Sequence, residues 1–373
     1  MNHALRRRRA LVIAALQAMV LALAGLVLPG APATAAAAPG TVVSATAVTL
    51  PSELSPLATG KRVTYVTTAV NGSLANTTGL VLTPKTGKTN KTVVWGHGTT
   101  GLADQCAPSV SQAVFWPEAR TAVAALLGKG FTVAAPDYPG LGTPYAHPYL
   151  IGLSEARSMI DAVRAARKLD GSLSLQYAID GHSQGGQGAL FAGEIAPAYD
   201  GTLQLRGVSA IAPVSNADLF APLVPGTPAN GYLVMGLYGL QAVDSTVSAS
   251  ALLADAAEDR TAVLETGCLY EILNAYASLS ARELLVGGAL PDSVVTKLAH
   301  YDNPAQQAPS APILLVQGTA DEAVPYDITL VLLDQLNAYD QPVQFVPVEG
   351  ATHDSAVIDT AAQVATWLAG RFA

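Results

Sequence analysis

Between Tyr177 and Gly193 the chain reads YAIDGHSQGGQGALFAG, with Ser183 at the centre of a Gly-x-Ser-x-Gly pentapeptide, Gly181 to Gly185. A serine hydroxyl is a weak nucleophile at neutral pH. Acyl transfer through it needs a base within hydrogen-bond reach, a third group that orients the base, and N–H donors for the charge that builds on the substrate oxygen. Of the six histidines, His353 in PVEGATHDSA stands where the order serine, acid, histidine puts the base. His97 precedes Ser183 on another strand end, His147 lies between Pro144 and Pro148, His300 falls in a helical stretch, and His182 adjoins the nucleophile but points elsewhere on such a turn. The acid expected from LLVQGTADEAVP is Asp321, just past a late strand, with Glu322 as its alternative; Asp354 is too close to His353 in sequence. Asp137 and Asp180 precede Ser183 and read as loop-fixing residues. Oxyanion donors are expected from the backbone of Gln184, the residue after the nucleophile, and from WGHGTTG, where Thr99 competes with Thr100.

Positioning these groups calls for a strand that runs into Ser183 and a helix that leaves it. LQYAID suits the first and QGGQGALFAGEIAP the second. Gly181 and Gly185 lack the Cβ atoms that would collide on so sharp a turn, and Gly186 and Gly188 permit close helix packing. Elsewhere KTVVWGHG, FTVAAPDYPG, LRGVSAIAP and APILLVQGTAD alternate with helical periods, which means a mostly parallel α/β sheet with helices on both faces. Lys61 to Pro84 alternates β-branched residues around Asn71-Gly72 and predicts an antiparallel hairpin. About a hundred residues near the last third break the rhythm. A structureless loop of that length is unlikely in a compact domain, so residues 224–310 are expected to form a helical cap insertion.

The chain is 50% hydrophobic and 13% charged, which excludes a disordered protein. Four arginines, an apolar run from Ala10 to Leu28 and small residues around Ala35 predict a cleaved export leader, residues 1–37, ahead of a catalytic domain, 38–373. General and twin-arginine export fit equally. Loss of the leader, with four arginines and no acids, takes the formal charge from −8 to −12. A secreted, acidic protein with no basic cluster is a poor partner for nucleic acid, and nothing else in the chain would hold it stably in a membrane. The two cysteines, Cys106 and Cys268, are expected to pair in an oxidising compartment and tie the oxyanion loop to the cap. No zinc, P-loop or dinucleotide fingerprint occurs, so neither metal nor cofactor is expected.

With these segments assembled, the chain resembles the secretory lipase family of the α/β-hydrolase superfamily. The likeness rests on WGHGTTG followed by QCAPS, on APDYPGLGTP, HPYLIGLSEARSMIDAVRAAR, DGHSQGG, LLVQGTADEAVP and GATH, and it extends over most of the chain after the leader. It implies hydrolysis of carboxylic esters, acylglycerols foremost, with Ser183, Asp321 and His353 as a triad, a cap that shapes the acyl site, and a bridge from the CAPS cysteine to the cap. GHGTTG departs from the oxyanion segment of the fungal members, which leaves Thr99 and Thr100 both open. An acyltransferase, or an esterase limited to short acyl chains or to polyesters, would use the same residues.

Overall fold

The computed structural model describes residues 37–373; the expected leader lies outside them, apart from its last residue. Nine strands form one sheet in the order β1-β2-β3-β5-β4-β6-β7-β8-β9. Its antiparallel end is built by β1 (Val42–Val48), β2 (Ala58–Thr68) and β3 (Leu74–Pro84). The hairpin of β2 and β3 turns at Asn71-Gly72 as the sequence predicts: Gly72 has φ 85°, and Asn71 Oδ1 accepts from the Ser73 backbone. Strand β3 pairs antiparallel with β5 (Thr132–Pro136), and from there β4 (Thr92–Gly96), β6 (Gln176–His182), β7 (Gln204–Ile211), β8 (Ile313–Gly318) and β9 (Val343–Val348) run parallel.

The central strands β4, β5 and β8 are buried at every position because helices cover both faces. On one face Val93 and Trp95 pack with α1 (Pro117–Gly128) and the C-terminal helix, residues Ser355–Gly370. On the other face Val94 and Ile179 pack with α2 (Gly152–Leu169) and α3 (Gln184–Tyr199). Odd and even residues of one strand thus feed two cores, the two-residue period of a pleated sheet.

Between β7 and β8 the chain leaves the sheet and forms short helices around a separate apolar core, with Met235, Leu237, Leu240, Ile272 and Tyr276 fully buried. Its longer helices are α4 (Asn230–Gln241), α5 (Leu269–Tyr276) and α6 (Asp292–Asp302); the last two helices of the chain are α7 (Tyr326–Asn337) and α8 (Ser355–Gly370). Helical structure in the insertion starts at Ala217, earlier than expected, and ends at Asp302. The early start is one turn, Ala217–Phe220, too short to show a helical period in the sequence.

Candidate active site

Ser183 ends β6 and caps α3 with φ 55° and ψ −117°, a conformation costly for any residue with a side chain. The glycines on either side make it possible. A Cβ on Gly181 would sit 2.1 Å from the Gly185 carbonyl oxygen, and one on Gly185 would sit 2.1 Å from that of Gly96. Gly186 and Gly188 pack against Pro213 and Glu155, as the close-packing reading expects. Ser183 N–H donates to Ile211 O across to β7, and Gln187 N–H donates to Ser183 O. The turn is therefore held from both sides.

His353 lies between β9 and α8. Its Nδ1 faces Asp321 Oδ2 at 2.7 Å. Asp321 itself is pinned: Oδ1 accepts from the Ala323 and Val324 amides at 2.8 Å each, and Oδ2 also accepts from Gln317 Nε2. The two loops are stitched together, with Ala320 N–H donating to Ala351 O and Gly350 N–H to Thr319 Oγ1. Glu322, the alternative acid, is exposed and makes no bond to His353 among the described residues. Asp354 is exposed too. Ser183 and His353 line one cavity without a direct hydrogen bond, a contact that ligand-free hydrolases often leave open.

Thr99 lines that cavity and a second one beside Ser183. Its hydroxyl meets Tyr149 Oη at 2.8 Å, and its carbonyl accepts from Trp116 Nε1. Thr100 lines neither cavity; its carbonyl instead accepts from Leu269 N–H in the insertion. Of the two candidates the geometry favours Thr99. Cys106 and Cys268 form a disulfide with Cα atoms 5.5 Å apart, next to the Leu269–Thr100 bond, so the loop that carries Thr99 and Thr100 is tied to the insertion twice.

The side chain of Gln184 carries a network that sequence reasoning missed. Its Nε2 donates to Glu155 Oε1 at 2.8 Å and to His147 Nε2 at 3.2 Å, while His147 Nδ1 donates to Pro139 O. His147 lies in a loop, as its flanking prolines indicate, and is buried there; burial holds its pKa down at about 4. Burial pushes Glu155 the other way, to about 8. Glu155 could have been noticed as an acid on the apolar stripe of α2, one turn before the buried Met159. Asp137 accepts from Thr78 and from the Ser109 amide and does fix a loop. Asp180 corrects the sequence reading: it is buried inside β6, not in a loop.

The two cavities meet at Ser183. The first, about 70 Å³, is lined by apolar groups such as Val214, Phe220, Leu233 and Leu298, with one carboxyl, Asp302, whose pKa burial drives well up. The second, about 230 Å³, has His353, Glu118, Trp116 and Tyr270 in its wall. Atoms of His182, His353 and Asp354 lie within 4.8 Å of one another. A cation there would compete with bonds already made, since His182 Nε2 donates to His353 O and His353 Nδ1 faces Asp321.

A secretory lipase family model matches residues 118–373, more than half of the chain. The chain belongs to the secretory lipase family. Membership makes this secretory lipase a carboxylic-ester hydrolase. It is 24% identical over 318 residues to a secreted triacylglycerol lipase of Malassezia globosa, across 78% of this chain and 68% of the relative. Against lipase 7 of Candida albicans the identity is 24% over 285 residues, 72% of this chain and 63% of the relative. Candida antarctica lipase A in its closed state superposes with a TM-score of 0.75 at 18% identity, over 88% of this chain and 83% of that one. The rice cell wall degrading esterase LipA of Xanthomonas oryzae gives 0.73 at 21%, over 89% and 100%. These likenesses establish the α/β-hydrolase fold, with its mostly parallel sheet and helical insertion. Among the described residues no helix is long and apolar enough to cross a membrane.

Proposed function

We propose that this secretory lipase is an exported triacylglycerol lipase or esterase working through an acyl-enzyme on Ser183. The observation that carries the reading is the pairing of His353 with a fully braced Asp321 in the wall of the cavity onto which the strained Ser183 opens. Asp321 keeps the proton of His353 on Nδ1, so Nε2 is free to take the Ser183 hydroxyl proton as Oγ attacks the ester carbonyl. The backbone N–H groups of Thr99 and Gln184 hold the oxyanion; each such donor contributes on the order of 10²–10³ in rate. His353 then returns the proton to the departing alcohol, and water repeats the sequence on the acyl-enzyme. The apolar cavity suits the acyl chain and the second cavity the alcohol. Residues 1–37 serve export, and the insertion after β7 is a cap over the acyl side.

Initial rates on triacylglycerols of increasing acyl length, with Ser183→Ala as blank, test the proposal. Activity that extends to long chains supports a lipase, and activity confined to short chains an esterase. A wild type no faster than the blank on every ester refutes the hydrolytic reading and brings acyl transfer forward.

A further inference from the structure

Glu118 has no place in the acyl-transfer scheme, yet it is only 6% exposed and lines the cavity that holds Ser183 and His353. Its carboxyl takes no hydrogen bond from the side chain or backbone of another residue among those described, whereas nearby Arg120 is spent on Glu53 and on Phe115 O. A carboxyl at the first turn of α1 that opens to a cavity and is bonded to no other residue is free to receive a cationic ligand. The rest of the wall has matching character. Glu322 and Asp354 stand at the rim, Tyr232 lies between the two cavities, and Trp116 meets Tyr270 edge to face with centroids 5.2 Å apart. No lysine or arginine lines the space, and burial keeps His182 neutral.

Resting on the hydrolase reading above, we infer that this cavity selects esters whose alcohol carries a fixed positive charge, a quaternary ammonium seated beside Glu118 among the aromatic side chains of Trp116, Tyr232 and Tyr270. Aromatic faces and a carboxylate together hold such a cation, which neither a fatty alcohol nor a phosphate-bearing alcohol can match. In the reaction Ser183 Oγ bonds to the acyl carbon, the bond from that carbon to the alcohol oxygen breaks, and the amino-alcohol leaves with the proton from His353. Glu118 sits near pH 7 because burial and Asp354 raise it, against the opposing pull of His353 and Arg120, and Tyr270 faces it from the insertion. The selection therefore strengthens as pH rises through 7.

The test compares a choline ester with the 3,3-dimethylbutyl ester of the same acid, which replaces nitrogen by carbon. The expected result at pH 8 and low salt is a kcat/KM ratio of about tenfold in favour of choline. The ratio should shrink at pH 6, in Glu118→Gln, and in Tyr270→Leu, whose side chain is exposed and safe to change. Equal kcat/KM values for the two esters at pH 8, or a ratio that neither pH nor Glu118→Gln alters, would overturn the inference while leaving ester hydrolysis intact. Hydrolysis of neither ester would count against the hydrolase reading instead. In that event tetramethylammonium and 3,3-dimethylbutanol binding to Ser183→Ala, measured by calorimetry, decides the question: preference for the cation upholds the site, and its absence removes it.

Discussion

The two cavities that share Ser183 are built from different material. The proposed acyl-side cavity takes most of its wall from the insertion and from the segment after β7, and burial, with Glu155 nearby, raises the pKa of its one carboxyl, Asp302. The other cavity is walled largely by loops at the ends of parallel strands and by the first turn of α1, and its buried carboxyl titrates near neutrality. Both residues are largely buried, but Glu118 lines a polar space together with His353, whereas Asp302 has mostly carbon around it. On the proposed scheme, the apolar side of Ser183 sorts substrates by shape and length, and the polar side can sort them by charge.

The largest effect that sharpens this contrast is loss of the shared centre. Ser183→Ala and His353→Ala should each lower kcat by about 10⁴-fold or more for every ester, and the double variant should lose little further, because the groups act as a unit. Initial rates of the three variants check this; losses that multiply would break the assignment. Next in size is the disulfide, which closes a loop across 162 positions and holds the insertion to the oxyanion loop. Cys106→Ala with Cys268→Ala should remove about 2–5 kcal/mol of stability in a denaturant titration. Activity should fall at denaturant concentrations where the far-ultraviolet signal of the sheet persists.

A smaller and one-sided effect is expected at Gly236 in α4. It lines the acyl-side cavity, and nothing lies within 4 Å of where its Cβ would be. Gly236→Phe should fold, since leaving glycine within a helix gains about 0.5–1 kcal/mol in backbone terms, and it should slow long-chain esters about tenfold or more relative to acetate esters. Equal slowing of both would mean that the acyl chain lies elsewhere. Least in size is Glu155→Gln, which keeps an acceptor for Gln184. The folded-state pKa of Glu155 is raised to about 8, so its stabilising contribution is complete below the unfolded value and is lost as pH rises through 8. The variant should melt higher than wild type at pH 8.5 and differ little at pH 4; a thermal scan at each pH measures the change.

Much of the centre was legible in the chain because its chemistry depends on local order. Gly181 and Gly185 reveal a turn that only glycines permit, Asn71-Gly72 reveals a hairpin, and the alternation of apolar runs reveals a parallel sheet. Strand β1 has no such signature: it is an edge strand of mostly exposed residues, so no hydrophobic alternation announces it. Nothing in the sequence marks Glu118 or Glu155, since helical periodicity does not reveal what stands opposite a side chain. The prolines that flank His147 place it in a loop but say nothing of its burial.

By itself the sequence determined the glycine-flanked turn at Ser183, the order of Ser183, Asp321 and His353 along the chain, the sheet class and an even pair of cysteines. All of these follow from backbone sterics, period and count, which are properties of neighbours along the chain. Only the tertiary structure decided that Thr99 and not Thr100 lines the cavities at Ser183, that Gln184 is anchored by Glu155 and His147, and that a carboxyl from α1 lines the same space as His353. Those depend on which loops the strand order 5-4-6-7-8-9 brings to one edge of the sheet, and on how far each side chain is withdrawn from water. Desolvation and close approach are long-range outcomes of packing, and no local pattern of residues encodes them.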